Sequence, residues 1–332
     1  MNGSADNSPV LLSRRELRGP TQWGVTGLTM LGTVLCVGGL FWPTVRSMAE
    51  TWAGSRTFAH GFLILPAACY LVWCAREKWI SLVPHRSWLG LMVLIAVSAG
   101  WIAADHLHHL AFQQVAVVAF FPSLTWAILG SDIVRALSWP LGFLVFMLPF
   151  GSIIEPRLQD FTAQFVLVGL QLTGIPTVYD RYFITIPSGI WEIAPDCGGL
   201  RYLLPGLALG TAFAIIAYRK PSHRVAFIAL CAVILMLANG LRAYGIIVGD
   251  HIGIAEGADH RVFSYTIYAL TIVLLYWIGM KWAEPDVFTS SQHETTAVWH
   301  SHVIHSMVIS ATAAILILAM GPLSGWLMGG QS

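Results

Sequence analysis

The segment VAFIALCAVILMLANGLRAYGIIVG, residues 225–249, decides the fold. Its only charge is that of Arg242. A helix of ~20 mainly apolar residues crosses the hydrocarbon of a bilayer, so this stretch reads as a transmembrane span with one cation inside it. The composition agrees. The chain has 332 residues, of which 56% are hydrophobic and 11% charged, with a mean hydropathy of +0.68. Soluble domains average about 45–50% apolar and about 25% charged residues. The net charge of +1 gives no electrostatic case for nucleic acid.

Working outward, the same test predicts spans at 23–43, 61–75, 88–104, 110–129, 133–150, 199–218, 225–249, 262–282 and 303–327. The expected fold is therefore an all-α polytopic membrane protein with about eight to nine transmembrane helices. It divides into a polar cytoplasmic tail at 1–22, a transmembrane body at 23–282, a linker at 283–302 and an extra C-terminal helix at 303–332. No small-residue cleavage site follows the first span, so a cleaved signal peptide is not expected.

Cationic residues accumulate in cytoplasmic loops. With the N-terminus inside, the inner segments hold Arg14, Arg15, Arg18, Arg76, Lys78, Arg86, Arg135, Arg219, Lys220, Arg224 and Lys281. The outer ones hold only Arg46, Arg56, Arg157, Arg181 and Arg261. A cytoplasmic N-terminus follows, and with it an outer position for the long non-spanning region at 151–198. The first half of that region mixes polar and apolar residues at helical spacing from Pro156 to Leu170, the pattern of an interfacial amphipathic helix. Two β-prone runs then flank Pro187-Ser188-Gly189, which predicts a hairpin from Tyr182 to Ile193. That hairpin delivers Cys197 to the mouth of the span at 199–218.

Of the five cysteines, Cys36, Cys69, Cys74 and Cys231 lie inside apolar runs, where cysteine is a small buried hydrophobe. Cys197 lies outside one, after Asp196 and before Gly198-Gly199. An odd count without repeated spacing gives neither a disulfide framework nor a zinc site. Arg242 stands seven residues before Gly249, so it lies ~10 Å below the outer surface. His260 precedes the span at 262–282, again at the outer end. Three separately placed segments thus put a thiol, a guanidinium and an imidazole in one leaflet. Those are the parts of a cysteine acyl-transfer site. A charge within a span costs ~2.5–3.5 kcal/mol at the bilayer centre and usually marks function; the plain alternatives are a snorkelling Arg242, a loop His260 and an inert Cys197.

Neighbouring residues form a supporting set. Gly198 and Gly199 permit close backbone approach, and their N–H groups could face a developing oxyanion. Arg201 is four residues from Cys197 and shares its helix face if the helix has begun. Asn239 shares a face with Arg242, either beside the site or as interhelical glue. Asp259 adjoins His260. Gly206 and Gly210 make a small-residue packing seam. The cluster His106, His108 and His109 reads as an interface loop, and His293, His300, His302 and His305 as a solvated linker. No phosphate loop, nucleotide motif or serine elbow is present.

At these residues the sequence resembles the exosortases, membrane-embedded transpeptidases that process proteins bearing a C-terminal PEP-CTERM sorting signal. Cys197, Arg242 in Asn239-Gly240-Leu241-Arg242-Ala243-Tyr244, and His260 in Gly257-Ala258-Asp259-His260 match the family's three positions in order. Ala59-His60-Gly61-Phe62-Leu63-Ile64-Leu65-Pro66 is similar to its early His-Gly segment. Leu200-Arg201-Tyr202-Leu203-Leu204 and Asn239 to Tyr244 resemble the branch associated with exopolysaccharide gene clusters. Gly198 departs from the usual Ser after the Cys, and Asp196 stands where a small residue is common. The resemblance covers roughly residues 25–282. It implies a catalytic domain at 23–282, catalytic Cys197, Arg242 and His260, and no cofactor or metal. It further implies an inner-membrane location with the site at the periplasmic face, and as partners PEP-CTERM proteins, membrane lipid and an unknown acceptor nucleophile. The alternative class is a transporter or exopolysaccharide export component, which would use Arg242 and His260 as a polar path and have no need of Cys197.

Overall fold

A computed structural model describes residues 20–151, 154–253 and 260–283 of the chain. The expected tail at 1–19 of the 1–22 segment, most of the linker at 283–302 and the helix expected at 303–327 lie outside the described residues. Helices dominate. In order they are α1 (Pro20–Leu40), α2 (Trp42–Gly54), α3 (Gly61–Cys74), α4 (Arg76–Trp79), α5 (Trp88–His106), α6 (Leu110–Leu129), α7 (Ser131–Ala136), α8 (Ser138–Gly142) and α9 (Glu155–Leu172). Strands β1 (Val178–Asp180), β2 (Phe183–Ile186) and β3 (Gly189–Glu192) follow, then α10 (Leu200–Ala217), α11 (Pro221–His251) and α12 (His260–Trp282).

Among the described residues, five helices are long and apolar enough to cross a membrane: α5, α6, α10, α11 and α12. The chain is a multi-pass membrane protein. The apolar stretches Leu31–Leu40, Gly61–Cys74 and Ser138–Met147 are shorter, so the eight to nine spans read from hydropathy are not matched helix for helix. The segment at 133–150 is a correction. It forms α7, α8 and a 3-10 turn at Phe143–Met147 instead of one continuous helix. Pro140 explains the break, because its ring cannot coexist with a helical carbonyl at Ala136, four residues back. The loop expected after the first span instead holds α2, whose Pro43 sits at the helix start, where a missing N–H costs nothing.

Two seams of small residues set the packing around α11. On one side a Cβ at Gly206 would fall 2.7 Å from Leu235, and one at Gly210 would fall 2.7 Å from the Cys231 Sγ. These two glycines let α10 lie close against α11, as the small-residue spacing predicted. On the other side Gly169 of α9 faces Tyr244, while Gly240 of α11 faces Phe165. Here α9 and α11 exchange a glycine for an aromatic ring in both directions. The amphipathic helix foreseen at 156–170 is thus α9, tucked against a span by its buried face of Leu158, Gln159, Thr162, Ala163, Val166 and Leu170.

The predicted hairpin is β2–β3, with Ile186 paired to Gly189 across Pro187-Ser188. A third strand, β1, adds to β2 as an antiparallel neighbour. Ile184 and Ile186 point inward and Phe183 and Thr185 outward, the period-two alternation of a half-buried strand. Their inward side joins Ala163, Val166, Leu170, Ala243 and Ile247 in one apolar cluster. The sheet is thereby fixed to α9 and α11. The Tyr182 hydroxyl donates to Asp160 at 3.0 Å, a second tie between sheet and α9; that bond holds the phenol above its ordinary pKa.

Candidate functional site

Cys197 lies in a single 3-10 turn, Pro195–Gly198, between the sheet and α10. Both ends of this connection are held by side chains from neighbouring helices. Upstream, the Ile193 N–H donates to the Tyr182 carbonyl at 2.8 Å, and the Gln159 amide of α9 donates to the Ile193 carbonyl. Within the turn, the Cys197 N–H donates to the Ala194 carbonyl at 2.8 Å. Downstream, Asn239 Nδ2 of α11 donates to the Cys197 carbonyl at 2.9 Å and to Thr162 Oγ1 at 3.0 Å. The Thr162 hydroxyl in turn donates to the Leu158 carbonyl at 2.9 Å. Half-buried Cys197 is therefore carried on a backbone clamped by α9 and α11.

The Gly198-Gly199 pair makes this clamp possible. A Cβ at Gly198 would come within 3.2 Å of the Gln159 N. At Gly199 it would run into the Asn239 carboxamide, and there φ is +88°. That left-handed conformation disfavours any residue with a Cβ. Gly199 also ends the 3-10 turn and starts α10, accepting from the N–H groups of Tyr202 at 3.0 Å and Leu203 at 2.9 Å. The helix has not begun at Cys197. Cys197 and Arg201 do not share a helix face, because the reversal at Gly199 separates the turn from α10. Half-buried Arg201 instead places its guanidinium 5.9 Å from the Tyr202 ring centroid.

Arg242 is one turn beyond Asn239 on α11. Its Nε donates to Ser264 Oγ at 2.7 Å, and that hydroxyl donates to the His260 carbonyl at 2.7 Å. Its guanidinium lies 5.4 Å from the Tyr202 ring centroid, on α10. Among the described residues it forms no ion pair. Among the described residues its buried Nη1 has no hydrogen-bond partner, and neither does Asn239 Oδ1. Both residues line a cavity of about 10 Å³ with Tyr202, Ser264 and Tyr268, room for about one water. A buried guanidinium nitrogen with its proton unused is a donor preorganised for negative charge.

His260 is the first residue of α12 and is exposed. Asp259 lies outside the described residues, as do the other residues of 254–259. The segments carrying the three predicted groups therefore converge on one turn of α11, through Asn239 to the Cys197 peptide and through Arg242 and Ser264 to the His260 peptide.

Sequence reading missed Gln159, Thr162 and Ser264. Gln159, Thr162, Ala163 and Val166 follow the i, i+3, i+4, i+7 rule for one helix face, so two polar residues on an otherwise apolar face were the available signal. Ser264 carried none beyond its four-residue distance from His260.

The remaining motif residues have structural explanations. His60 is buried just before α3, with Nδ1 3.1 Å from the Thr57 carbonyl oxygen. A Cβ at Gly61 would strike the Trp52 indole. His109 packs its ring 5.9 Å from Phe112 in the loop after α5. Among the described residues no group of three or more His, Cys, Asp or Glu could hold a metal ion.

The family model of the transmembrane exosortases (Exosortase_EpsH) matches residues 52–277. The chain belongs to the exosortase family. The match runs from α2 to α12 and includes Cys197, Arg242 and His260. The family is a group of membrane cysteine-type proteases and transpeptidases. No curated protein and no solved structure matches the chain.

Proposed function

We propose that this exosortase is a thiol transpeptidase that cleaves the C-terminal PEP-CTERM signal of exported proteins and passes them to an acceptor nucleophile. The observation that supports this reading is the pair of hydrogen-bond links that draw the Cys197 turn and the first turn of α12 onto the Asn239–Arg242 turn of α11. The substrate's apolar C-terminal helix docks from the lipid and presents its sorting motif at Cys197. The thiolate attacks the scissile carbonyl, forming an S–C bond and a tetrahedral oxyanion. Arg242 stabilises that charge through the guanidinium nitrogen that the other described side chains leave unused. The C–N bond then breaks, and His260 gives its proton to the leaving amine. The thioester that remains is attacked by the acceptor, whose proton returns to His260. Asn239, Gly198 and Gly199 keep the Cys197 backbone in place for both halves of the reaction. The site works at the periplasmic face of the inner membrane, with the N-terminus in the cytoplasm.

The test co-expresses the chain with a substrate carrying a PEP-CTERM tail and follows that tail by gel mobility and by mass spectrometry of the new C-terminus. The tail is lost with the native sequence and retained with Cys197→Ala. Tail loss that survives Cys197→Ala would overturn the thiol mechanism and favour the transport role.

A further inference from the structure

A large apolar cavity among the described residues does not have Cys197 in its lining. It has a volume of about 500 Å³, within the ~300–1,000 Å³ range of ligand pockets, and lies between α1, α3, α6 and α8. Leu65, Ala68, Val72, Phe121, Leu141 and Leu144 make up much of its wall. Two hydrogen-bonding side chains also line it, and both already bond to backbone. Thr125 Oγ1 donates to the Phe121 carbonyl at 2.7 Å, and Trp79 Nε1 donates to the Val72 carbonyl at 3.0 Å. A cavity whose polar groups are satisfied internally offers water little and suits hydrocarbon.

Cationic residues adjoin one side of this lining. Trp79 and Ile80, which line it, directly follow Lys78. Pro140 and Leu141 also line it, and the neighbouring Trp139 ring carries the Arg224 guanidinium 5.1 Å from its centroid. Lys78 stands in the field of Arg224 and Arg219; partial burial of its amine first, and then those two charges, lower its pKa. An apolar chamber whose lining adjoins Lys78, with Arg224 over the Trp139 ring beside Pro140, is complementary to one kind of molecule, with an anionic head and a hydrocarbon tail. Arg224 donates to the Tyr218 and Ile215 carbonyls at the end of α10. The 18 residues of α10 rise ~27 Å from Leu200 near Cys197. The side of the cavity near Arg224 is therefore a helix length from the proposed chemistry, and its occupant is not the acceptor of the reaction.

We propose that this cavity is a binding site for an anionic two-chain glycerophospholipid, with an acyl chain between α3 and α6 and the phosphate at Lys78. Phosphatidylglycerol is the probe. The full-length protein is purified in detergent, offered equimolar phosphatidylglycerol and phosphatidylcholine, and analysed by native mass spectrometry. The native sequence retains phosphatidylglycerol about fivefold over phosphatidylcholine, the effect of about one cation at a membrane surface. Lys78→Glu abolishes that preference, and Lys78→Arg keeps it. Cys69→Trp, which places an indole in the chamber from an exposed position, lowers retention of both lipids. Equal retention of the two lipids, retention of neither, or a preference unchanged in Lys78→Glu overturns the proposal.

Discussion

Two cysteines beside α10 and α11 sit in opposite surroundings. Cys231 is fully buried in the seam where α11 meets Gly210, with its sulfur in van der Waals contact and apolar neighbours such as Phe227 and Leu235 around it. Cys197 is half-buried on a 3-10 turn, and its peptide is fixed by hydrogen bonds from α9 and α11. At one end of the helix pair, small residues and apolar contacts make a close seam. At the other, polar side chains hold irregular backbone that the helices alone would not specify. Cys231 serves as packing material, and the proposal of Cys197 as a reagent draws on what grips the backbone beside it.

The sharpest way to break that comparison, after loss of the thiol itself, is Arg242→Lys. A lysine keeps the charge but loses the fixed fork that reaches Ser264 and stacks on Tyr202. Tail cleavage should fall ~10²–10³-fold, the usual effect of losing one oxyanion donor, with the protein still folded by thermal unfolding in detergent. Next comes a methyl group inserted at each end. Gly199→Ala drives a Cβ into Asn239 at a left-handed φ, and the displaced turn should cost ~10²-fold in cleavage rate. Gly206→Ala pushes on Leu235; it should lower stability by ~1–3 kcal/mol and leave the rate per folded molecule unchanged. If both variants lose the same activity for the same loss of stability, the two ends do not differ in the way described.

Two smaller effects sharpen the picture. Ser264→Ala removes the hydroxyl between Arg242 and the His260 carbonyl. A hydrogen bond to a charged group contributes ~1.5–3 kcal/mol, so the cleavage rate should drop by at least about tenfold. Cys231→Ala should leave cleavage intact and cost about 1 kcal/mol in unfolding free energy, the typical effect of a single core substitution.

Much of this was legible in the sequence where one residue type alone had to account for a feature. The apolar runs gave α5, α6, α10, α11 and α12, because a bilayer leaves few alternatives to a long apolar helix. The Pro187-Ser188-Gly189 break gave the hairpin, and Gly198-Gly199 gave the close backbone approach. Hydropathy did not reveal the broken segment at 133–150, because proline and serine barely lower the mean of an apolar window. Nor did it reveal that Gln159 and Thr162 face inward. Their partners, the Ile193 carbonyl and Asn239, lie 34 and 77 residues away, and polar residues on an amphipathic helix read as solvent-facing until the partner is known. Whether Cys197 and Arg201 share a face depended on where the helix begins, and a glycine at φ +88° cannot be told from a helical glycine by spacing.

The measurement closest to the central claim is a search for the acyl-enzyme itself. Full-length protein is mixed with a substrate bearing the PEP-CTERM tail, quenched in acid during turnover, digested and analysed by mass spectrometry. The account predicts a hydroxylamine-sensitive adduct, the substrate's new C-terminal fragment, on the peptide that contains Cys197 and on no other cysteine. Cleavage that proceeds with Cys197 free of any adduct, or an adduct carried by Cys231, would contradict it.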